Sequence, residues 1–213
     1  MAKIFRRLLL YALGNIILAF GVALAVKSDL GVTPVNSIAY VVSRILLVDY
    51  GLMTAIIYCS YVLLQLIILG KEFRPISFLQ MGTATFFGWL VSLNVHILSF
   101  FTLEVYVVQV LCMLGSVIII ALGILLYLKA DLLPQPPDGI VLAIQKKFNW
   151  KLHNVKLCFD SSVVVIAVAI SLIAVQRIIG LREGTVIAAF GVGKVMGFLS
   201  KYLGPKIDAL FKL

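Results

Sequence analysis

Lys194 has the most chemistry to offer. It stands in Gly191-Val192-Gly193-Lys194-Val195-Met196-Gly197, in the middle of a long apolar run. An ammonium group at that depth costs several kcal/mol (about 3 on insertion scales) unless it is paired or wetted, so it is a functional candidate by default. Asp160, near the start of another apolar run, can exchange a proton or reach toward a cation. Asn36 and Asp138 stand at equivalent points where two short polar segments begin. Tyr40 lies on the polar stripe of the first of these segments, and Asn15 adds hydrogen-bonding capacity inside the first apolar run. Together these six residues are the expected binding site for a small anionic or zwitterionic molecule.

Other chemistries find no support in the residues. There is no H-E-x-x-H, G-x-S-x-G or P-loop pattern, so no enzyme is expected. His96 and His153 are 57 residues apart, and Cys59, Cys112 and Cys158 form no C-x-x-C, so neither a metal site nor a cofactor is expected. Gln65, Gln80 and Gln109 read as helix–helix contacts rather than ligands, and Asn94 adds buried hydrogen-bonding capacity.

The elements that must position these groups are membrane helices. Hydrophobic residues make up 62% of the chain and charged residues 13%. Six apolar runs are long enough to cross a bilayer: 8–26, 51–69, 76–99, 105–128, 158–176 and 185–203. The first, behind Lys3, Arg6 and Arg7, is longer than a signal-peptide core and is followed by further spans. The net charge of +9 then reflects basic loops beside anionic lipid, not a nucleic-acid partner.

The spans fall into two similar halves. The stretch from Gly21 to Ile38 recurs from Gly123 to Ile140, 102 residues later, with 7 of 18 positions identical. The identities include Lys27, Asp29, Leu30 and Pro34, a K-x-D-L exit and a following proline that apolar composition does not supply by chance. The halves are therefore taken as 1–101 and 102–213, each with three spans and one short helix, 33–48 or 135–150. With the N-terminus in the cytoplasm and neither short segment crossing, 13 of the 18 Lys and Arg residues lie inside, Lys212 among them, and four lie outside. That distribution puts both termini inside and makes the halves inverted repeats.

Each short segment starts like a helix, with Thr33 as N-cap before Pro34 in one and Pro136 or Pro137 leading Asp138 in the other. A stripe of Asn36, Tyr40, Ser43 and Arg44 makes the first amphipathic, and Asp138, Gln145 and Lys146 mark the second. Two placements fit: an interfacial helix on the membrane surface, or a re-entrant half-helix that starts near the midplane. Six extended residues, 28–33, reach about 20 Å, enough for the second. Helix starts carry free N–H groups and partial positive charge, so two such starts suit an anionic group. Lys27 with Asp29, and Lys129 with Asp131, are expected to pair locally at the exits.

The stretch G-x-A-L-x-x-x-x-D-L-G-x-x-P-x-N, from Gly21 to Asn36, resembles the YczE/YyaS/YitT family of bacterial integral membrane proteins, as do Gly184-Thr185 and the glycines of the last span. The second half departs from it where Leu133 replaces the counterpart of Gly31. The resemblance implies a small multi-pass protein of the bacterial plasma membrane, a transporter without a particular substrate. The expected protein is thus an all-α membrane protein of six spans plus two short helices, acting as a secondary transporter or exporter, with a homodimer compatible. The alternative is the substrate-binding subunit of a multi-component vitamin importer. Ala19 and Ala23 would give that subunit an A-x-x-x-A docking face.

Overall fold

A computed structural model describes residues 2–211, and all regular structure among them is helical. Lys212, counted above with the inside charges, lies outside the described residues. The helices are α1 (Ala2–Ser28), α2 (Ser37–Leu46), α3 (Tyr50–Leu69), α4 (Leu79–Ser99), α5 (Tyr106–Ala130), α6 (Pro136–Phe148), α7 (Leu152–Val175) and α8 (Glu183–Phe211). Six of them, all but α2 and α6, are long and apolar enough to cross a membrane. Their outward faces carry large apolar side chains, such as Phe5 at 67%, Ile67 at 75% and Ile173 at 84% exposure. Water would oppose so wide an apolar surface, whereas lipid is its natural solvent. The protein is an all-α, multi-pass membrane protein.

The repeated K-x-D-L motif resolves into a helix exit. Asp29 and Asp131 follow α1 and α5 in the left-handed region, at φ 55° and 50°, a conformation that Asp tolerates better than most residues. Lys27 and Lys129 sit in the last turns, where the helix dipole favours a cation. The expected local pairing is replaced by longer-range partners in the second half. Lys129 Nζ pairs with Asp208 on α8, and Asp131 Oδ2 lies 3.7 Å from Arg7 on α1.

The chain divides into two compact units, and each draws on both sequence halves. The first comprises Met1–Thr33, Leu90–Leu132 and Leu181–Leu213. Here α1 packs along α5, and α8 packs on α5. The α1–α5 contacts run in opposite order along the two helices. Leu10 clusters with Leu125, Gly14 faces Tyr127, Gly21 faces Ile120, and Ser28 Oγ reaches Met113 Sδ. The helices are therefore antiparallel. The repeated glycines allow the approach. A Cβ on Gly21 would lie 2.9 Å from Ile120 N, and one on Gly123 would lie 2.6 Å from Leu18 N. Leu18 and Ile120 are themselves equivalent positions, so the two halves exchange matching contacts across this crossing.

At the far end of α1 a backbone clasp explains the D-L-G and G-T motifs. Gly184 N donates to Leu30 O at 2.8 Å, and Arg182 donates to Asp29 O at 3.0 Å. Gly31, at φ 127°, leaves room for Thr185, whose Oγ1 would lie 2.4 Å from an added Cβ. Asn15 is buried in this unit and donates to Tyr11 O at 2.8 Å.

The second unit comprises Pro34–Trp89 and Leu133–Gly180. Its long helices α3 and α7 each pack against both short helices. A single 3₁₀ turn, Pro34–Asn36, precedes α2, so α2 begins at Ser37 with Asn36 at its cap position rather than Thr33. By contrast α6 begins at Pro136, as the proline signal predicts.

Candidate functional site

Asn36, Tyr40, Asp138 and Asp160 all fall in the second unit, where Asp138 and Asp160 share Lys156 while Asn36 and Tyr40 lie elsewhere along α3; Asn15 and Lys194 belong to the first. The site is built along α3. Asn36 is 2% exposed, and its Oδ1 accepts the Tyr58 hydroxyl at 2.9 Å. Further along, Gln65 Nε2 donates to Pro136 O at 3.2 Å and to Gln80 Oε1 at 3.0 Å. Gly139 accommodates this amide pair, since a Cβ there would lie 2.7 Å from Gln65 Nε2. Gln65 and Gln80 are thus helix contacts, and what they hold is the start of α6.

These contacts fix the course of the short helices. The start of α2 meets α3 at Tyr58, and Tyr40, one turn on, sets its ring against Tyr50 at 5.5 Å. The start of α6 meets α3 at Gln65, and Lys146 near its end reaches Glu72 at 3.0 Å. At 1.5 Å per residue, the two starts are about 10 Å apart along α3, while the two ends lie toward its opposite ends. The polar stripe of α2 also turns inward, with Asn36, Tyr40 and Ser43 all buried. Arg44 alone stays exposed, with Nε donating to the Tyr40 hydroxyl at 3.2 Å.

Beside the start of α6 lies a charged cluster. Lys156 Nζ stands 3.5 Å from Asp138 Oδ1 and 3.3 Å from Asp160 Oδ1. The three side chains are 41%, 33% and 28% exposed. Lys156 precedes the apolar run 158–176, but α7 begins earlier than that run and takes Lys156 in as its fifth residue. The i,i+4 spacing of Lys156 and Asp160 is the signal that identifies the pair on one helix face. One ammonium on α7 thus bridges carboxylates from two helices, α6 and α7.

Lys194 lies on an exposed stretch of α8, and the neighbouring Gly193 and Gly197 have open space around them. The A-x-x-x-A face of α1 is occupied within its own unit, with Ala19 at 0% and Ala23 at 1% exposure.

No curated protein and no solved structure matches the chain significantly. A family model does match it, over residues 5–201, and by that match the chain belongs to the family of unknown function DUF6198.

Proposed function

We propose that the chain is a small secondary transporter of the bacterial plasma membrane, working by alternating access between two inverted halves. Its substrate is a small organic zwitterion or anion. The observation that carries the reading is the Asp138–Lys156–Asp160 cluster at the start of a short helix, within the length of a candidate span. Charges paired between two helices near the end of a candidate span are a candidate binding or ion-relay group.

Inversion is supported by the antiparallel course of α1 and α5, which are equivalent in the repeat. Re-entry is supported for α2 by a start that meets α3 near its middle, at Tyr58, whereas α6 starts beside Gln65, four residues before α3 ends; the far ends of α2 and α6 diverge. Transporters of inverted-repeat type place short or broken helices around a central site. Cross-element polar contacts fit the same topology. Arg7 with Asp131, Lys129 with Asp208 and Lys146 with Glu72 would all be cytoplasmic, and Arg182 with Asp29 would be external. Both termini are then cytoplasmic. Lys194 is proposed as a second functional group, acting from α8. We also infer kinship with the YczE/YyaS/YitT proteins from the motifs alone. The importer-subunit alternative loses its docking argument, because Ala19 and Ala23 are covered by the protein itself.

The test is transport by the purified chain alone. Proteoliposomes carrying an imposed proton gradient should accumulate at least one member of a labelled panel of small zwitterions and carboxylates. Accumulation only after addition of ATP-hydrolysing partner chains would support the alternative.

A further inference from the structure

We propose that Gln65 and Gln80 are positioning residues for the charged cluster: their paired amides grip the first turn of α6 and thereby set Asp138 against Lys156. The inference deepens the transport reading, and it rests on that reading only in expecting transport to follow the position of Asp138.

The repeat shows why such a grip is needed. Asp138 and Asp160 stand 102 residues after Asn36 and Tyr58. In the first half these two positions tie the short helix directly to the long one, with the Tyr58 hydroxyl donating to Asn36 Oδ1 at 2.9 Å. In the second half both positions are carboxylates, which when ionised accept hydrogen bonds but donate none, and which repel each other. Lys156, standing where the first half has Thr54, answers the repulsion at 3.5 Å from Asp138 and 3.3 Å from Asp160. All three side chains are part-exposed, and an ion pair in that setting is a weak tie. The start of α6 therefore depends on a second anchor.

Pro136 and Pro137 bring no N–H to the first turn, so the anchor acts on a carbonyl. Gln65 Nε2 donates to Pro136 O at 3.2 Å and to Gln80 Oε1 at 3.0 Å. Both glutamines are buried, which strengthens these bonds and keeps water from competing for them. A Cβ on Gly139 would lie 2.7 Å from Gln65 Nε2 and 2.8 Å from Gln80 Oε1, so the amides fill the space a side chain would take. Pro136 and Gly139 are three apart and share the gripped face of α6. Asp138 lies about 100° round the helix from Gly139, on the side where it meets Lys156 of α7. Its Oδ1 is already 3.5 Å from Lys156 Nζ, and a further shift of about 1 Å takes it beyond ion-pair reach. The first half, tied through Asn36 and Tyr58, has no such pair: Ala167 and Arg182 stand where the second half's anchors would have their counterparts.

The test reads the ion pair itself. The full chain in nanodiscs is labelled with a trace of acetic anhydride, and acylation of Lys156 is measured by peptide mass spectrometry against the exposed Lys201. A paired ammonium must be freed before it reacts. Asp138→Asn should raise the rate about threefold, within the worth of a part-exposed ion pair. Gln65→Leu should raise it as much, and should add nothing in the Asp138→Asn background, because it acts through that carboxylate. A purely structural role would add its effect in either background. Gly139→Ala removes no polar group and crowds the amides from the α6 side, so it should free Lys156 likewise and guards against a folding defect peculiar to Gln65→Leu. Unchanged Lys156 reactivity in both variants, or a further rise when Gln65→Leu is added to Asp138→Asn, would overturn the proposal and leave the transport reading intact. Lys156 freed by Gln65→Leu, with proteoliposome transport still at the wild-type rate, leaves the positioning standing and refutes the cluster as the transport site.

Discussion

Replacing Gly123 by alanine should open the crossing of α1 and α5. The new Cβ would lie 2.6, 2.7 and 2.8 Å from Leu18 N, Cα and Cβ, and ordinary contact begins near 3.4 Å. These are backbone and near-backbone atoms, so no side-chain rotation relieves the clash, and the helices must part by about 0.8 Å. A gap of that size forfeits a quarter to a half of the dispersion energy for the atoms it separates. Overpacking of this kind costs about 1–3 kcal/mol. The gain in helix propensity from Gly to Ala returns at most about 1 kcal/mol. The net loss is then about 1–2 kcal/mol, several degrees in melting temperature for a chain of this size. Gly193→Ala is the control, because nothing lies within 4 Å of its added Cβ. That variant gains propensity without a clash and should be neutral or slightly more stable. Thermal unfolding of both variants in one detergent, followed by a thiol-reactive or intrinsic fluorescence probe, gives the comparison. Equal destabilisation of Gly123→Ala and Gly193→Ala would refute the packing argument.

Other expectations follow from single sites. Leu47→Asn should stabilise by about 1 kcal/mol, since Leu47 is 91% exposed at φ 55° and its equivalent, Asn149, already suits that conformation; chemical denaturation would measure it. Gly31→Ala should destabilise by about 1–3 kcal/mol, because its φ of 127° is strained for any other residue and Thr185 fills the space. Lys156→Met should reduce proteoliposome transport to background while the chain still elutes as a folded species, as the two carboxylates lose their shared cation. Lys194→Ala and Lys194→Arg should impair transport with little change in melting temperature, since this exposed side chain supports no packing in its unit.

Much of the architecture was legible because membrane insertion writes itself into composition. Each of the six apolar runs became a long helix, and the short segments at 33–48 and 135–150 became α2 and α6. The proline at the start of α6 was readable because it occupies a position where a missing N–H costs nothing. The start of α2 was displaced by three residues, because Pro34–Asn36 closes a 3₁₀ turn that local pattern does not distinguish from a first α-turn. The charged site was only half legible. Asp138 and Asp160 were visible as polar residues at element starts, but Lys156 was hidden by the apolar boundary of its span; the helix extends one and a half turns beyond that boundary. Long-range pairs such as Lys129 with Asp208 were invisible, since nothing in the spacing specifies which helix ends meet. The close crossing at Gly21 and Gly123 was not legible, since the repeat supplies two glycines without saying that Ile120 and Leu18 lie against them.

Inverted halves with two re-entrant helices make one prediction that needs no substrate. In full-length chain with Cys59, Cys112 and Cys158 changed to alanine, a single cysteine is placed at Val48, after α2, or at Asn149, after α6. Each is then labelled in sealed, oriented membranes with an impermeant maleimide added from one side at a time. The account predicts labelling of position 48 from outside only and of position 149 from the cytoplasmic side only. Labelling of both from the same side would contradict the inversion on which the proposed mechanism depends.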